Sequence, residues 1–306
     1  MECHTDTWGV DYYLLPYQSE YEISQHAVGH TDERKGGSCN GCHTNEGFQN
    51  IVETGSTEDL AQSSQVGCFT CHAPHTMEDF SLRWEMATDI ALGEGTYDKG
   101  TSNICAACHQ ARTPRPPVDS EDDITYFRWG PHHGPQSNVL AGIGAWQIST
   151  ADPYRTTAQH NTNVPNGCVD CHMAELPGSG VSGGHTFWMR WDDHGTMVIN
   201  SNGCAALNCH GGDFTDDDEA TVYVDDAALE FQAKLDELKT ALVANGWLTE
   251  DDYVNTDTPP VDPDDRGAVL NYLIFLEDRS NGAHNILYAT DAIDASIEHA
   301  QAKLLP

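Results

Sequence analysis

Ten of the eleven cysteines fall into five pairs, and a histidine follows the second cysteine of every pair. The strings are Cys39-Asn40-Gly41-Cys42-His43, Cys68-Phe69-Thr70-Cys71-His72, Cys105-Ala106-Ala107-Cys108-His109, Cys168-Val169-Asp170-Cys171-His172 and the wider Cys204-Ala205-Ala206-Leu207-Asn208-Cys209-His210. Two thiols about one helical turn apart can add to the two vinyl groups along one porphyrin edge. The adjoining imidazole then lies under the iron as its proximal ligand. These spacings therefore point to covalent attachment of haem c. Paired cysteines also bind zinc, but zinc sites share four ligands between pairs and give no reason for a histidine after every second cysteine. Cys-x-x-Cys disulfides are usually redox-active, so five structural ones would be out of character.

The eleventh cysteine, in Met1-Glu2-Cys3-His4, reads as the end of a sixth motif whose first cysteine would directly precede Met1. Haem c is attached outside the cytoplasm, and no basic n-region with an apolar h-region opens the sequence. The expectation is thus that upstream residues are missing from this numbering, and that the protein is extracytoplasmic and carries five haems at the least and six in all.

His4, His43, His72, His109, His172 and His210 are proximal by position, which leaves ten of the sixteen histidines for other work. Six of these ten can close the distal sites: His26, His75, one of His132 and His133, His160, His185 and His284. His75 stands three residues after His72, and three residues span at most ~10 Å. It therefore reaches a neighbouring haem and not the far face of its own, so two haems are expected in close contact. His132 and His133 lie in a Gly-Pro-bounded segment outside regular structure. His185 follows Gly183-Gly184, where the missing side chains would let the backbone approach a porphyrin. His284 follows Asn281-Gly282 and precedes a helix, which would project its imidazole from a rigid start. His30 and His194 are weaker candidates. His299 is expected at the surface, opposite the Ile286, Ile293, Ile297, Leu304 stripe of its helix.

The elements that must position these groups divide at about residue 216. Residues 1–215 are rich in Gly, Pro, Ser, Thr and Asn and lack long apolar periodicities, so this multihaem-binding region is expected to use haems for much of its core, with short helices carrying the motifs. Asp216-Asp217-Asp218-Glu219 reads as a solvated acidic turn in preference to a calcium site, because adjacent carboxylates cannot all converge on one ion. Residues 216–306 form a C-terminal helical segment, packed on the haem region and contributing a distal histidine. Phe231, Leu235, Leu238 and Leu242 recur at helical spacing up to a stop at Asn245-Gly246. Asp262-Pro263 opens a second helix that runs to Asn281-Gly282, and a third runs from about Asn285 to Leu304. The expected fold class is mainly α with extensive irregular coil and little β.

The chain of 306 residues carries 14 Lys and Arg against 48 Asp and Glu, a net charge of −34. Nucleic acids and anionic membrane surfaces are polyanions and would be repelled. No run approaches the ~18 to 20 apolar residues of a membrane-spanning helix, so no membrane insertion is expected.

The sequence resembles the extracytoplasmic multihaem c-type cytochromes, whose relatives include pentahaem nitrite reductases and electron-transfer cytochromes. The resemblance covers most of the chain. It rests on Gly67 to Thr76 around the second motif, on Trp129-Gly130-Pro131-His132-His133-Gly134-Pro135, on Gly183-Gly184-His185-Thr186-Phe187 with Met189-Arg190, and on Glu277-Asp278-Arg279-Ser280-Asn281-Gly282-Ala283-His284-Asn285. It implies a helical and coil fold with haems ligated by two histidines. Three uses follow from it. The first is an electron conduit that exchanges with redox proteins or extracellular acceptors, and this is the favoured reading. The second is a reductase of nitrite, hydroxylamine or a sulfur oxyanion. Nitrite reductases of this kind typically carry Lys in place of the motif His at the catalytic haem, whereas every motif here ends in His. With only 14 cations and no Lys-rich cluster, an anion funnel has little to be built from. The third use follows a likeness, in haem density and irregular chain, to subunits of extracellular cytochrome filaments, with copies of the chain itself as partners.

Overall fold

The computed structural model describes residues 15–73, 80–157, 159–176, 180–205, 210, 214 and 216–305; Cys3, His4, His75 and Cys209 lie outside the described residues. In chain order, α1 (Leu15–Glu22), α2 (Gln25–Val28), α3 (Asn40–His43), α4 (Asn45–Thr54) and α5 (Cys68–Cys71) precede a ribbon of β1 (Thr88–Ile90) and β2 (Gly95–Tyr97). Next come α6 (Asn103–Cys108), α7 (Gln136–Ala141), α8 (Gln159–Asn163) and α9 (Cys168–His172), a ribbon of β3 (Arg190–Asp193) and β4 (Thr196–Ile199), and α10 (Asn202–Ala205). The longest helices follow: α11 (Asp217–Ala244), α12 (Pro263–Asp278) and α13 (Ile286–Ala302). Both ribbons are antiparallel, with Thr88 opposite Tyr97 and Arg190 opposite Ile199. The described residues are thus mainly helix and coil with little strand, as the sequence predicts.

Local signals explain the long helices. Asp216 accepts a hydrogen bond from the Glu219 amide at 3.0 Å and so caps the start of α11, where the helix dipole favours negative charge, while Asp217 ties that start to residue 201 by accepting from the Ser201 amide at 3.0 Å. Asp262 caps α12 with Pro263 in its first turn, and Asn285 caps α13 by accepting from the Tyr288 amide at 3.1 Å. The second helix stops earlier than Asn281-Gly282. It ends at Asp278, where Arg279 turns left-handed with φ 59°, leaving residues 279–285 as a loop.

The described residues within Met1–Met86, Gly100–Ile104 and Asn166–Val222 form one compact unit, and those within Ala87–Lys99, Cys105–Pro165 and Tyr223–Pro306 form another. This division does not follow the compositional shift at residue 216. Residues 105–165 fold with the long helices because their polar groups are satisfied there: Asn271 pairs with both the amide and the carbonyl of Trp146, at 2.6 and 2.9 Å. Gly267 belongs to the same contact, since a Cβ there would fall 2.0 Å from the Trp146 ring.

The two units build their interiors differently. In the second, Phe231, Leu238 and Leu242 of α11, Leu270 and Ile274 of α12, and Ile293 and Ile297 of α13 join Trp129, Val139 and Ile148 in one buried cluster. Each such side chain contributes roughly 1.5–3 kcal/mol by leaving water. Among the described residues, the first unit contributes nothing to that cluster and buries few large apolar side chains of its own, among them Phe48, Ile104, Val198, Ile199 and Phe214. Yet four of the five complete motifs fall within the first unit.

His299 is not at the surface. Its Nε2 lies 2.7 Å from Asp265 Oδ1 and its ring stacks on Trp247, with the side chain only 10% exposed. Ile286 and Leu304, assigned to the apolar stripe, are the exposed ones, while Tyr288, Ala289, Ala292 and Ala300 share the core face with Ile293 and Ile297. Small residues let α13 approach α12 closely, which turns the packed face toward His299.

Two expected outcomes follow for the second unit. Arg266 is fully buried and donates to the carbonyls of Pro260, Ser120 and Asp122 at 3.1, 2.6 and 2.8 Å. Arg266→Ala strands these acceptors and should cost about 3 kcal/mol or more in chemical denaturation. Burial alone would raise the pKa of Asp264, but hydrogen bonds from Ser149 and from Trp146 Nε1 outweigh it, and its carboxyl is held below the usual range. Its ionised form therefore stabilises the fold above the ordinary carboxylate value of about 4, and that stability fades as pH falls through the lower folded value. Asp264→Asn should lower the unfolding midpoint at neutral pH, with the gap to wild type closing below about pH 4. A constant gap would show that the carboxylate charge plays no part.

Candidate haem-attachment sites

Each described motif sits on one helical turn held by its neighbours. In α3, Gly41 faces Ile51 of α4 so closely that a Cβ would fall 2.0 Å from the Ile51 side chain, and buried Asn40 donates to the Glu58 carbonyl at 2.6 Å. The residues between the two cysteines thus anchor the turn while Cys39 and Cys42 remain three apart on one side. In α5, Thr70 accepts from the Gly67 amide at 2.9 Å and donates to Asn45 at 2.8 Å. In α9, Asp170 receives the Asn166 amide at 2.9 Å. None of the nine described cysteines is in a disulfide. Among the described residues no group of three or more His, Cys, Asp or Glu side chains converges as a zinc or calcium site would require.

The imidazoles show what the motifs are built to hold. His72 Nδ1 lies 2.7 Å from the Phe80 carbonyl, His172 Nδ1 3.0 Å from the Phe187 carbonyl, and His109 Nδ1 3.2 Å from Gln136 Oε1. The distal candidates follow suit, with His160 Nδ1 2.5 Å from the Ala283 carbonyl and His284 Nδ1 2.6 Å from Asp278 Oδ1. Every one of these partners accepts, so Nδ1 carries a proton, and Nε2 is the nitrogen through which the neutral imidazole would bind a metal.

Within the first unit the ring centres of His72 and His185 are 6.2 Å apart. Two imidazoles on opposite sides of one iron stand roughly 6 Å apart, two metal–nitrogen bonds of about 2 Å plus the two ring radii. The pair therefore has the spacing of two axial ligands. His185 rides on a 3-10 turn, Gly184–Thr186, and the two glycines before it lie at close approaches of the protein. Gly183 has φ 69°, and a Cβ there would strike the Ala174 carbonyl; one on Gly184 would strike Glu20. Desolvation, and then His72, hold His185 below the usual histidine range. Phe187 gathers further imidazoles: its ring meets His26 edge-on at 5.0 Å and His185 at 6.1 Å, while its carbonyl receives His172. His210 stacks on Phe214 at 5.2 Å, and the Thr31 hydroxyl donates to the His43 carbonyl at 3.0 Å.

In the second unit, His109 presents exposed surface although protein atoms crowd its ring. Desolvation holds it below the ordinary histidine range against the pull of Gln136, and nearby His284 lowers it further. The loop after α12 thus brings the C-terminal histidine to a motif histidine of the same unit. The His132 and His133 rings are 4.9 Å apart, closer than two ligands across one iron, and His133 Nδ1 lies 2.9 Å from Glu277. Phe80 and Gln136 orient imidazoles without having been singled out from the sequence, as do Phe187 and Asp278, which lie in quoted motifs but were given no role there. Two of them act through backbone carbonyls, which leave no compositional trace.

Haem c fits this donor set: paired thiols on single turns, oriented imidazoles, and a small side-chain core in the unit that holds most of the motifs. No protein-family model and no curated protein matches the chain. The structure is similar to the crystal structure of outer cell wall cytochrome OcwA, at TM-score 0.57 and 22% identity over 93% of this chain and 50% of that one. It is also similar to the undecahaem cytochrome from the S-layer of Carboxydothermus ferrireducens, at TM-score 0.51 and 18% identity over 95% of this chain and 40% of that one. The chain spans half or less of the length of either cytochrome. Among the described residues no helix is long and apolar enough to cross a membrane. With five complete haem-attachment motifs and this structural likeness, the chain has the fold of the extracytoplasmic multihaem c-type cytochromes.

Proposed function

We propose that this chain transfers electrons outside the cytoplasm through haems ligated by two histidines each, without a substrate-reducing site. The observation that carries the reading is the spacing of His72 and His185, whose ring centres stand 6.2 Å apart with the His72 Nδ1 proton committed to a backbone carbonyl. An iron held between them has no open position for nitrite, hydroxylamine or a sulfur oxyanion. When bound, haem c supplies a one-electron iron couple. The chain supplies the rest: thiols that fix each porphyrin edge, imidazoles with one nitrogen reserved for iron, and packing that limits the reorganisation accompanying each electron.

The surface charge supports the same reading. At −34 the protein repels small oxyanions and suits cationic redox proteins or oxidised mineral surfaces as electron acceptors. Assembly of copies into a filament would extend the same use. The outer cell wall and S-layer cytochromes with the same fold are a further support for an extracellular setting.

Two measurements test the proposal. His185→Ala and His284→Ala should each convert one haem from low spin to high spin in the ferric spectrum, and unchanged spectra would remove these imidazoles from the iron. The fully reduced protein, mixed with nitrite, hydroxylamine or tetrathionate, should reoxidise slowly but exchange rapidly with soluble or mineral electron acceptors. Fast turnover with any of the three would make the chain a reductase.

A further inference from the structure

We propose that Asp278 sets the redox potential of the haem bound between His109 and His284, holding it below that of the haem bound between His72 and His185. This rests on the two-histidine reading above and on pairing His109 with His284, both of which are held by the end of α12, His109 through Gln136 and His284 through Asp278. Asp278 is the last residue of α12 and its side chain is 2% exposed. Arg279 breaks the helix in the left-handed region, and the chain doubles back so that His284 Nδ1 meets Asp278 Oδ1 at 2.6 Å. The Ser280 hydroxyl donates to the other carboxylate oxygen and accepts from the His284 amide at 3.3 Å, closing the loop. Among the described residues no lysine or arginine forms an ion pair with Asp278; the adjacent Arg279 turns to Glu277 instead. A nearly buried carboxylate thus relies on one imidazole and one hydroxyl.

Its position is a poor one for the helix. The C-terminal turn of α12 carries no basic residue, and the macrodipole there disfavours negative charge. The carboxylate is compensated once Nε2 of His284 donates to an iron. That donation draws electron density from the ring and strengthens the Nδ1–H to carboxylate bond, more so for the ferric ion than for the ferrous. In a low-dielectric interior the buried negative charge also favours the more positive oxidation state directly. Both effects lower the potential. On reduction one electron enters the iron, no bond is made or broken, and the Nδ1 proton stays on His284.

The other three ligands of these two haems have no carboxylate within hydrogen-bond distance among the described residues. His109 Nδ1 meets the neutral Gln136 Oε1 at 3.2 Å, and Gln136 Nε2 in turn donates to the backbone carbonyls of Glu277 and Asp278 at 3.1 and 3.3 Å. The end of α12 therefore orients both imidazoles, but places full charge on one. His72 donates to a neutral carbonyl, and the buried Nδ1 of His185 has no hydrogen-bond partner, with Glu20 3.8 Å away. An electron equilibrated between these two haems should rest on the His72/His185 one.

The test is a potentiometric titration of the full haem-loaded chain, followed by absorption and by electron paramagnetic resonance. Asp278→Asn keeps the shape and removes the charge. One low-spin centre should become easier to reduce by at least tenfold in its equilibrium constant, about 59 mV, while the others hold their midpoints. Asp278→Glu should stay close to wild type. Ser280→Ala removes a donor from the carboxylate and should shift the same centre the opposite way, which keeps the test open should the Asn variant fail to fold. A folded, low-spin Asp278→Asn protein with every midpoint unmoved would overturn the proposal. A His284→Ala protein in which every haem stays low spin would instead overturn the ligand assignment on which it stands.

Discussion

An imidazole that gives one nitrogen to a metal leaves the other for the protein, and among the described residues five candidate ligands have that second nitrogen met by a protein acceptor. The acceptors are the carbonyls of Phe80, Phe187 and Ala283, the amide of Gln136 and the carboxylate of Asp278. Apart from the two side chains, these are backbone groups in irregular segments. A helix has few spare carbonyls outside its last turn, so the loops carry the acceptors and the coil content of the fold is a consequence of its chemistry. This also accounts for the brevity of the helices that bear cysteines: one turn is enough to align two thiols, and the chain must then leave the helix to bring an acceptor to the histidine.

The same constraint separates the two units. Where four complete motifs are concentrated, few large apolar side chains are buried, and local polar contacts such as Asn40 to Glu58 and Thr70 to Asn45 fix the backbone. Where a single complete motif lies, three long helices supply a continuous apolar interior, and buried Arg266 and Asn271 tie the loops of residues 105–165 onto it. Porphyrin surface and side-chain surface are two ways to exclude water, and a chain that binds several haems needs less of the second.

Much of the site was legible because haem attachment is a local pattern. Cysteine spacing and the following histidine point to candidate proximal ligands without reference to anything distant, and Asp262-Pro263 and Asn285 mark helix starts by equally local rules. Discontinuous features were not legible. The compact units interleave three segments each, so a compositional shift at residue 216 could not delimit them. The apolar stripe of α13 misplaced His299 because Asp265 and Trp247, which enclose it, come from elsewhere in the chain. The Ala174 carbonyl and the Glu20 side chain, which crowd the glycines before His185, likewise come from other parts of the chain. Asp278 sat within a quoted motif, yet its bearing on His284 depends on the reversal at Arg279, which no periodicity encodes.

The distribution of the few cations adds to this picture. Arg155 pairs with Asp291 at 2.6 Å, Lys234 with Asp294 at 2.5 Å, Lys239 with Asp252 at 2.8 Å and Lys303 with Asp265 at 3.2 Å. Such partly exposed pairs contribute little individually, typically under about 1 kcal/mol. They do commit four of the fourteen cations to carboxylates of the second unit, and Arg266 is taken by carbonyls. What remains is too sparse to offset 48 acidic side chains. The repulsion among those acids is tolerable where salt screens it over about 8–10 Å, and the interior positions that matter for the irons are shielded from that screening. A buried carboxylate such as Asp278 would therefore weigh strongly on a single redox centre close to it, whereas the far larger charge outside is screened and would weigh weakly on each.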